Sequence, residues 1–425
     1  MNEHGSWDEG LEEVFVDPKP KGDGSQRAHA KKGNGADHSI GEEPPVEFNP
    51  TPFTWRDPAT FPRRQFIYGR HYIRQFLSAT VAPGGVGKSS LSIVEAVAMA
   101  AGIDLLGVRP VKPLRVWYWN GEDPQEEIDR RVMAACLQFK VKRSDIEGRL
   151  FLDSGRDTEL VIATQTKSGA LIASPVEAAL KKALKASEFD VMIVDPFVSA
   201  HRVGENDNMA VDAVAKTFGR IAGAANCAVE LIHHVRKTGG AEITAEDGRG
   251  ASALVAAARS VRVLNPMSKD EGERAGVGAE HRFYFRADTG KANLAPPSTK
   301  ATWFRLGSIP LGNGSGGAID DQDYVGVVTP WQWPDALEGV STADLRAVQA
   351  AVGKGRWREN AQAKDWAGVA VATVLKLDPK DKADKAKISA LLKTWIANGM
   401  LTTVEGLDDK REKRSFIEVG APAND

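Results

Sequence analysis

The middle of the chain alternates short apolar runs with amphipathic segments. Between residues 61 and 306, β-prone runs recur at Leu77–Val81, Val116–Trp119, Leu150–Leu152, Val191–Val194, Val229–Ile232, Val261–Leu264 and Arg282–Arg286. Between several of these runs the apolar residues follow helical spacing, as in Glu126–Leu137, Val176–Leu184 and Ala210–Ala224. This alternation predicts an α/β fold with a mostly parallel sheet and helices on both faces. Such sheets bind ligands at the carboxyl ends of their strands.

Both ends of the chain depart from this pattern. Residues 1–55 are polar and acidic with little apolar periodicity, so we expect a disordered tail. The α/β domain is predicted over residues 56–310. Residues 311–340 begin Gly-rich and carry prolines, which favours a linker. A separate small domain is predicted over residues 341–425.

That last segment has the pattern of three helices and a hairpin. Helices are predicted from Ser341, from about Asp365 and over Lys382–Asn398, followed by strands at Met400–Val404 and Ser415–Val419. This succession resembles winged helix-turn-helix domains. The basic candidates for DNA contact lie on the third helix and on the turn between the strands: Lys385, Lys387, Lys393, Lys410, Arg411, Lys413 and Arg414. A winged helix used for protein contact or ring assembly is the alternative.

Composition narrows the class of protein. The 425 residues carry a formal net charge of −2, which argues against a globally basic nucleic-acid coat but allows local patches. Cys136 and Cys227 have no ligand spacing, so we expect a reducing cytoplasm and no disulfide framework. The sequence has no apolar run of roughly 18 residues and no signal-peptide pattern, so a cytoplasmic protein without a membrane segment is expected.

The strongest motif lies between the first apolar run and the helix that follows it. Ala82-Pro-Gly-Gly-Val-Gly-Lys-Ser89 has the pattern of a phosphate-binding loop, except that Ala82 stands where the pattern has Gly. Lys88 would reach the β- and γ-phosphates of ATP, and the Ser89 hydroxyl would bind Mg²⁺. The alternative is a chance Gly-rich turn before a core helix. The candidate nucleotide-binding residues are Pro83, Gly84, Gly85, Val86, Gly87, Lys88, Ser89 and Ser90.

Carboxylates end two other apolar runs. Asp195 follows Val191–Val194, and we expect it to hold the Mg²⁺ shell through water. Glu122 follows Val116–Trp119 and is the candidate general base for the attacking water. A turn-forming role for Asp195 and a helix N-cap role for Asp123 are the structural alternatives.

The remaining candidates supply imidazole or positive charge. His233 and His234 end a third strand, where they could bind metal, sense the γ-phosphate or only pack. Arg249 stands between glycines and could act on a neighbouring subunit's nucleotide as an arginine finger. Arg286 and Lys291 are the rival inter-subunit cations, with a solvated charged hairpin as the structural alternative.

In order, these motifs are Pro-Gly-Gly-x-Gly-Lys-Ser, Glu-Asp-Pro, apolar-Asp-Pro, Ile-His-His, Gly-Arg-Gly-Ala-Ser and Gly-Lys-Ala-Asn. The set resembles the RepA-like family of RecA-fold ATPases, which includes hexameric plasmid helicases, over about residues 65 to 306. The resemblance implies a RecA-like P-loop NTPase core and a homo-hexameric ring with nucleotide sites between subunits. It makes Lys88, Glu122, Asp195, His234 and Arg249 the catalytic residues, with His234 as γ-phosphate sensor and Arg249 as arginine finger.

The sequence thus predicts a Mg²⁺-dependent ATPase that acts on single-stranded or duplex DNA. A helicase-type motor in the replication of a phage, plasmid or other mobile element is the first hypothesis. An ATP-gated DNA-binding regulator or helicase loader is the second. An ATPase of a signalling or defence complex that does not act on DNA is the third.

Overall fold

The computed structural model describes residues 49–167, 169–235, 242–244, 251–296, 298, 300–315 and 321–423. Residues 1–48 of the predicted tail therefore lie outside the described part of the chain. The chain divides into two compact units, Met1–Phe61 and Pro62–Asp425. In the first, the described part contains a short 3₁₀ helix, Pro58–Thr60, whose first turn is capped by the Asp57 side chain. All further elements belong to the second unit.

The described residues form sixteen strands and ten α-helices, which include the predicted core elements. The strands are β1 (Phe66–Tyr68), β2 (Tyr72–Ile73), β3 (Leu77–Pro83), β4 (Val116–Asn120), β5 (Leu150–Ser154), β6 (Ala163–Thr166), β7 (Gly169–Ile172), β8 (Val191–Asp195), β9 (Ala228–Val235), β10 (Ser260–Pro266), β11 (Tyr284–Ala292), β12 (Thr302–Pro310), β13 (Tyr324–Trp331), β14 (Trp357–Arg358), β15 (Leu401–Leu407) and β16 (Lys413–Val419). The α-helices are α1 (Lys88–Ala101), α2 (Gln125–Phe139), α3 (Arg143–Ile146), α4 (Ser174–Ala186), α5 (Asn208–Ala225), α6 (Ala251–Ala257), α7 (Lys269–Arg274), α8 (Thr342–Val352), α9 (Ala367–Leu375) and α10 (Lys382–Ala397).

A nine-stranded sheet organises the second unit, in the order β13-β12-β11-β10-β3-β9-β8-β4-β5. In the part of the sheet with the order β10-β3-β9-β8-β4-β5, adjacent strands are parallel. Beyond β10, strands β11, β12 and β13 extend the sheet through antiparallel pairs. Every residue of β3 and of β8 is buried, as expected for central strands covered on both faces. The predicted α/β class with a mostly parallel sheet is confirmed.

Helices cover both faces of this sheet. One apolar core contains Val94 and Val97 of α1 together with Ile128 of α2. The opposite core contains Val214 and Phe218 of α5. The parallel strands therefore point their carboxyl ends toward a single edge between two packed layers, which is where the motif residues were expected to meet.

A strand boundary and the predicted linker differ from the sequence-based prediction. Residues 282 and 283 end a 3₁₀ helix, so the strand predicted at Arg282–Arg286 begins only at Tyr284. The predicted linker at 311–340 contains β13, which pairs with β12 and forms an edge of the main sheet. Its prolines and glycines suggested a loop, but an edge strand tolerates Pro330 because one side of its backbone needs no partner.

The C-terminal segment packs three helices against a small sheet. Ile388, Leu391 and Trp395 of α10 are buried together with residues of α8 and α9. The sheet has the order β14-β16-β15, so the predicted hairpin gains a third, two-residue strand. The boundaries of the domains stay a prediction. Within the described residues, no helix combines the length and apolar character that crossing a bilayer requires.

Candidate nucleotide-binding site

The loop between β3 and α1 has the backbone of a phosphate cradle. Gly85 and Gly87 adopt left-handed conformations with φ of 82° and 106°, which residues with a Cβ rarely accept. A Cβ at Gly87 would also lie 3.2 Å from the Phe285 ring. Ala82, by contrast, is a strand residue without positive φ, so this position does not need the usual glycine. The loop then leads into the N-terminus of α1, where free N–H groups favour anions.

Lys88 is the first residue of α1 and is only 4% exposed. Its Nζ donates to the carbonyl oxygens of Ala82 at 3.0 Å and of Pro83 at 2.6 Å. Burial lowers the pKa of Lys88 to about 8, although the negative charges of Asp195 and Glu122 act in the opposite direction. Because the hydrogen bonds of this ammonium go to neutral carbonyl oxygens, its positive charge is available to an anion in the loop.

Asp195 ends β8 and is almost completely buried. Burial raises the pKa of its carboxyl, and hydrogen bonds from the Tyr118 and Ser89 hydroxyls oppose that rise. Tyr118 donates to Oδ2 of Asp195 at 2.7 Å. A serine hydroxyl beside a carboxylate offers the hard oxygen ligands that Mg²⁺ prefers, so these residues fit the predicted ion.

Glu122 is held just beyond the end of β4. Asn120 is paired in register with Asp195, and its side-chain oxygen accepts the N–H groups of Glu122 at 2.9 Å and Asp123 at 2.8 Å. Burial and the charges of Asp195 and Asp123 raise the pKa of Glu122. The shift brings this carboxylate closer to the range of an efficient general base at neutral pH.

Asp123 differs from its predicted alternative role. The helix N-cap is Pro124, and the Asp123 carboxylate instead pairs with Arg131 at 2.8 Å.

The histidine pair ends β9, directly beside the loop strand. His234 is paired in register with Ala82 and lines the cavity above the loop. The surrounding protein and the positive charge of Lys88 lower the pKa of His234 to about 4, so the imidazole is neutral at pH 7. His233 is buried against the Phe197 ring, with centroids 6.1 Å apart. Within the described residues, no three His, Cys, Asp or Glu side chains gather as a metal site.

The candidate inter-subunit cations have different surroundings. Arg249 lies outside the described residues. Arg286 is buried and pairs with Glu242, Glu271 and Asp288, whose negative charges raise its pKa although burial acts against them. Lys291 donates to the carbonyl oxygens of residues 255 and 256 at the end of α6. Both cations are thus engaged within the chain.

Residues that the sequence did not suggest form the outer wall of the site. The cavity above the loop has a volume of about 570 Å³ and is bounded by Arg130 and Arg131 of α2 and by the start of β13. Ser90 donates to the carbonyl oxygen of Gly326 at 3.1 Å, and Arg130 lies 3.4 Å from Asp323. The two arginines are visible in the sequence of α2, but β13 carries no motif that would place it here.

The basic C-terminal candidates fall into two groups. Lys385 and Lys393 are exposed on α10, whereas Lys387 donates to the carbonyl oxygen of Glu338 at 2.9 Å. Lys410 and Arg411 lie in the turn between β15 and β16, and Lys413 and Arg414 lie on β16. The Arg414 guanidinium pairs with Asp408 at 3.6 Å and also with Glu412, which reduces the positive charge of this turn.

Comparison with known proteins finds a matching family model and a solved structure of low similarity. Residues 42–240 match the model of a family described as an AAA domain. A crystal structure of the RadB recombinase aligns with 56% of this chain and 89% of its own, at 14% sequence identity and a TM-score of 0.36. The phosphate cradle, the buried Lys88 and the carboxylates Glu122 and Asp195 all lie within the range that matches this family model.

Proposed function

We propose that this protein is a Mg²⁺-dependent ATPase that acts on DNA as a motor of the RepA-like helicase type. The observation that supports it is that Lys88, Asp195 and Glu122 lie at or beyond the carboxyl ends of parallel strands of one sheet, where each alters the pKa of another. The motif order along the chain favours the RepA-like type. Replication of a phage, plasmid or other mobile element is the proposed setting.

Each side chain has a defined task in hydrolysis. The N–H groups of the loop and the Lys88 ammonium bind the β- and γ-phosphates. Ser89 and, through water, Asp195 would hold Mg²⁺, and the ion would supply positive charge that neutralises the phosphate oxygens. Glu122 accepts the proton of the water whose oxygen attacks the γ-phosphorus, as the bond to the ADP oxygen breaks. His234 contacts the γ-phosphate as a neutral hydrogen-bonding group.

A hexameric ring is part of the proposal. Arg249 would then reach the γ-phosphate of the adjacent subunit and stabilise the charge of the transition state. Arg249→Ala subunits and Lys88→Ala subunits should each be inactive alone. Mixing them should restore part of the ATPase rate, because some interfaces then combine an intact loop with an intact arginine. Mixtures as inactive as the parents would contradict action between subunits.

The deciding experiment is the steady-state ATPase rate with and without single-stranded DNA, with Lys88→Ala as the blank. A motor predicts a large stimulation by DNA, and strand separation should follow in an unwinding assay. A DNA-independent rate would contradict the motor. Slow turnover with a sequence-specific footprint would then identify an ATP-gated regulator or loader that uses the C-terminal segment as a winged helix.

A further inference from the structure

A basic groove lies between α7 and α10 and shares no lining residue with the cavity above the phosphate-binding loop. It has a volume of about 710 Å³. Its charged and aromatic lining consists of Arg274, Trp333, Lys380, Lys382, Lys385 and Lys393, with Glu273 as the acidic member. We refer to these residues as the α7–α10 groove. Arg274 and the four lysines are exposed, and Trp333 is half-buried.

The spacing on α10 presents these lysines along one face. Lys382, Lys385 and Lys393 line the groove together with small residues at 386, 389 and 390, so the floor between the charges is open. The opposite face carries the buried Ile388 and Leu391, which anchor the helix in its own core. At the other wall, a Cβ on Gly276 would lie 3.2 Å from the Cα of Ala383, so the two walls meet in close contact.

The acidic residues interleaved with these lysines are turned toward the backbone. Asp381 accepts the N–H groups of Ala383 at 2.9 Å and Asp384 at 3.0 Å as the cap of α10. Asp384 in turn accepts the N–H of Asp378 at 2.7 Å. Among the described residues, none forms an ion pair with Lys380, Lys382, Lys385 or Lys393. The lining is therefore dominated by cations available to an external anion.

Trp333 adds an aromatic surface to the charged wall. Its ring packs against Trp303 and Trp331, with centroids 5.2 Å and 5.8 Å apart, which holds it in place. The Arg274 guanidinium lies 6.0 Å from its centroid. Lysines that follow a phosphate backbone beside a fixed aromatic ring are the combination that binds single strands without sequence preference.

We propose that the α7–α10 groove binds single-stranded DNA, with the lysines on phosphates and Trp333 against an unpaired base. This inference rests on the proposed DNA-dependent function and identifies where the strand is held. Duplex DNA fits the lining less well, because a paired base cannot offer its face to the Trp333 ring.

The test is fluorescence anisotropy of the full-length protein with a labelled oligothymidylate over a series of salt concentrations. Lys385→Glu/Lys393→Glu should weaken binding at least tenfold at low salt. It should also reduce the slope of log K against log salt by about 1.4, at about 0.7 for each lost phosphate contact. The matched control is Lys354→Glu/Lys364→Glu, which changes the net charge equally at exposed positions outside the groove and should bind as wild type does.

Equal loss in the groove variant and the control would overturn the inference, as would unchanged binding in both. Thermal unfolding of each variant separates a folding defect from a binding defect. Comparing the DNA affinities of Trp333→Ala and Trp333→Phe tests the aromatic ring alone. Unlabelled duplex competing as well as single strands would also contradict the inference. If DNA binds the wild-type protein and stimulates its ATPase rate, but the groove variant binds DNA equally well, the inference about the groove is wrong and the proposed function stands. If wild type does not bind DNA, the proposed function fails with it.

Discussion

The Tyr118 hydroxyl donates a hydrogen bond to Oδ2 of Asp195 at 2.7 Å, across two neighbouring parallel strands. Both side chains are buried, and burial together with the Asp195 charge raises the pKa of Tyr118 well above its ordinary value. The phenol therefore stays protonated and keeps donating. The Tyr118 hydroxyl thus occupies Oδ2 of Asp195, and the Ser89 hydroxyl is a second hydrogen-bonding neighbour of this carboxylate.

Tyr118→Phe should weaken Mg²⁺ binding and so raise the Mg²⁺ concentration at half-maximal ATPase rate several-fold, because Asp195 loses a hydrogen-bond donor that orients it. The lost hydrogen bond should also lower the free energy of unfolding by about 1 kcal/mol. The matched control is Tyr72→Phe, since Tyr72 is equally buried and donates to Glu95 at 2.8 Å outside the site. It should lose similar stability with no change in the Mg²⁺ titration. If Tyr72→Phe raised the Mg²⁺ concentration at half-maximal rate as much as Tyr118→Phe, Tyr118 would have no specific role at the site.

Glu122→Gln should lower the ATPase rate constant by about 100-fold or more, in the range that loss of a general base produces. Nucleotide binding should be retained, because the amide keeps the shape of the side chain while losing its ability to accept the proton. Single-turnover hydrolysis and equilibrium nucleotide binding measure the two effects separately. Glu126→Gln, on the exposed face of α2, is the control and should hydrolyse at the wild-type rate.

Nucleotide affinity should fall as pH rises above about 8. The buried Lys88 has a lowered pKa of about 8, so its free-state ammonium loses the proton above that pH, whereas a polyphosphate needs it charged. The dissociation constant should rise roughly tenfold per pH unit there, since one unit corresponds to about 1.4 kcal/mol. A titration of the wild-type protein with a fluorescent, non-hydrolysable nucleotide measures this. Lys88→Arg stays protonated, and a slope as steep in that variant would contradict the assignment.

His234 should act without changing its charge between pH 5.5 and 8, because its pKa is lowered to about 4. His234→Ala should reduce the ATPase rate at least tenfold while leaving nucleotide affinity within a few-fold. His234→Asn retains a neutral hydrogen-bonding group and should recover part of the rate. The opposite result would be a wild-type ATPase rate that changes with an ionisation near pH 6.5, and a His234→Asn rate that does not. That result would show that the imidazole works as a cation.

The buried ion pair of Arg262 and Glu95 should stabilise the fold, because each side chain neutralises the charge of the other. Arg262 donates to both carboxylate oxygens, at 2.5 Å and 2.6 Å, and Glu95 is 4% exposed. Arg262→Met leaves an unpaired buried carboxylate and should cost about 3–5 kcal/mol, measured by urea unfolding. Arg262→Met/Glu95→Gln should recover part of that loss.

The exposed pair of Arg143 and Glu147 provides the comparison. Arg143→Met should cost less than about 1 kcal/mol, because both side chains are solvated and the charges are screened. If the two arginine substitutions cost the same, the buried pair does not stabilise the fold in the expected way.

Hydrophobic patterning located the central elements well. Strands such as β8 and helices such as α5 were predicted within a few residues, because continuous apolar runs and 3.6-residue periodicity report local burial directly. The predicted loop and the strand-end carboxylates also lie where parallel strands end. The linker prediction was wrong at β13, since an edge strand with prolines has the composition of a loop and is stabilised only by pairing with β12.

Local periodicity and the glycine pattern were enough to predict the mostly parallel α/β core and the phosphate-binding loop, because both features depend on short stretches of chain. The surroundings of that loop became known from the folded chain alone. They are the hydrogen bond from Tyr118 to Asp195, the hydrogen bond from the Glu122 N–H to the Asn120 side chain, and the cavity wall formed by β13. The same holds for the groove in which Trp333 meets α10. These contacts join residues far apart in the chain, and their pairing depends on strand order and packing that no local pattern encodes.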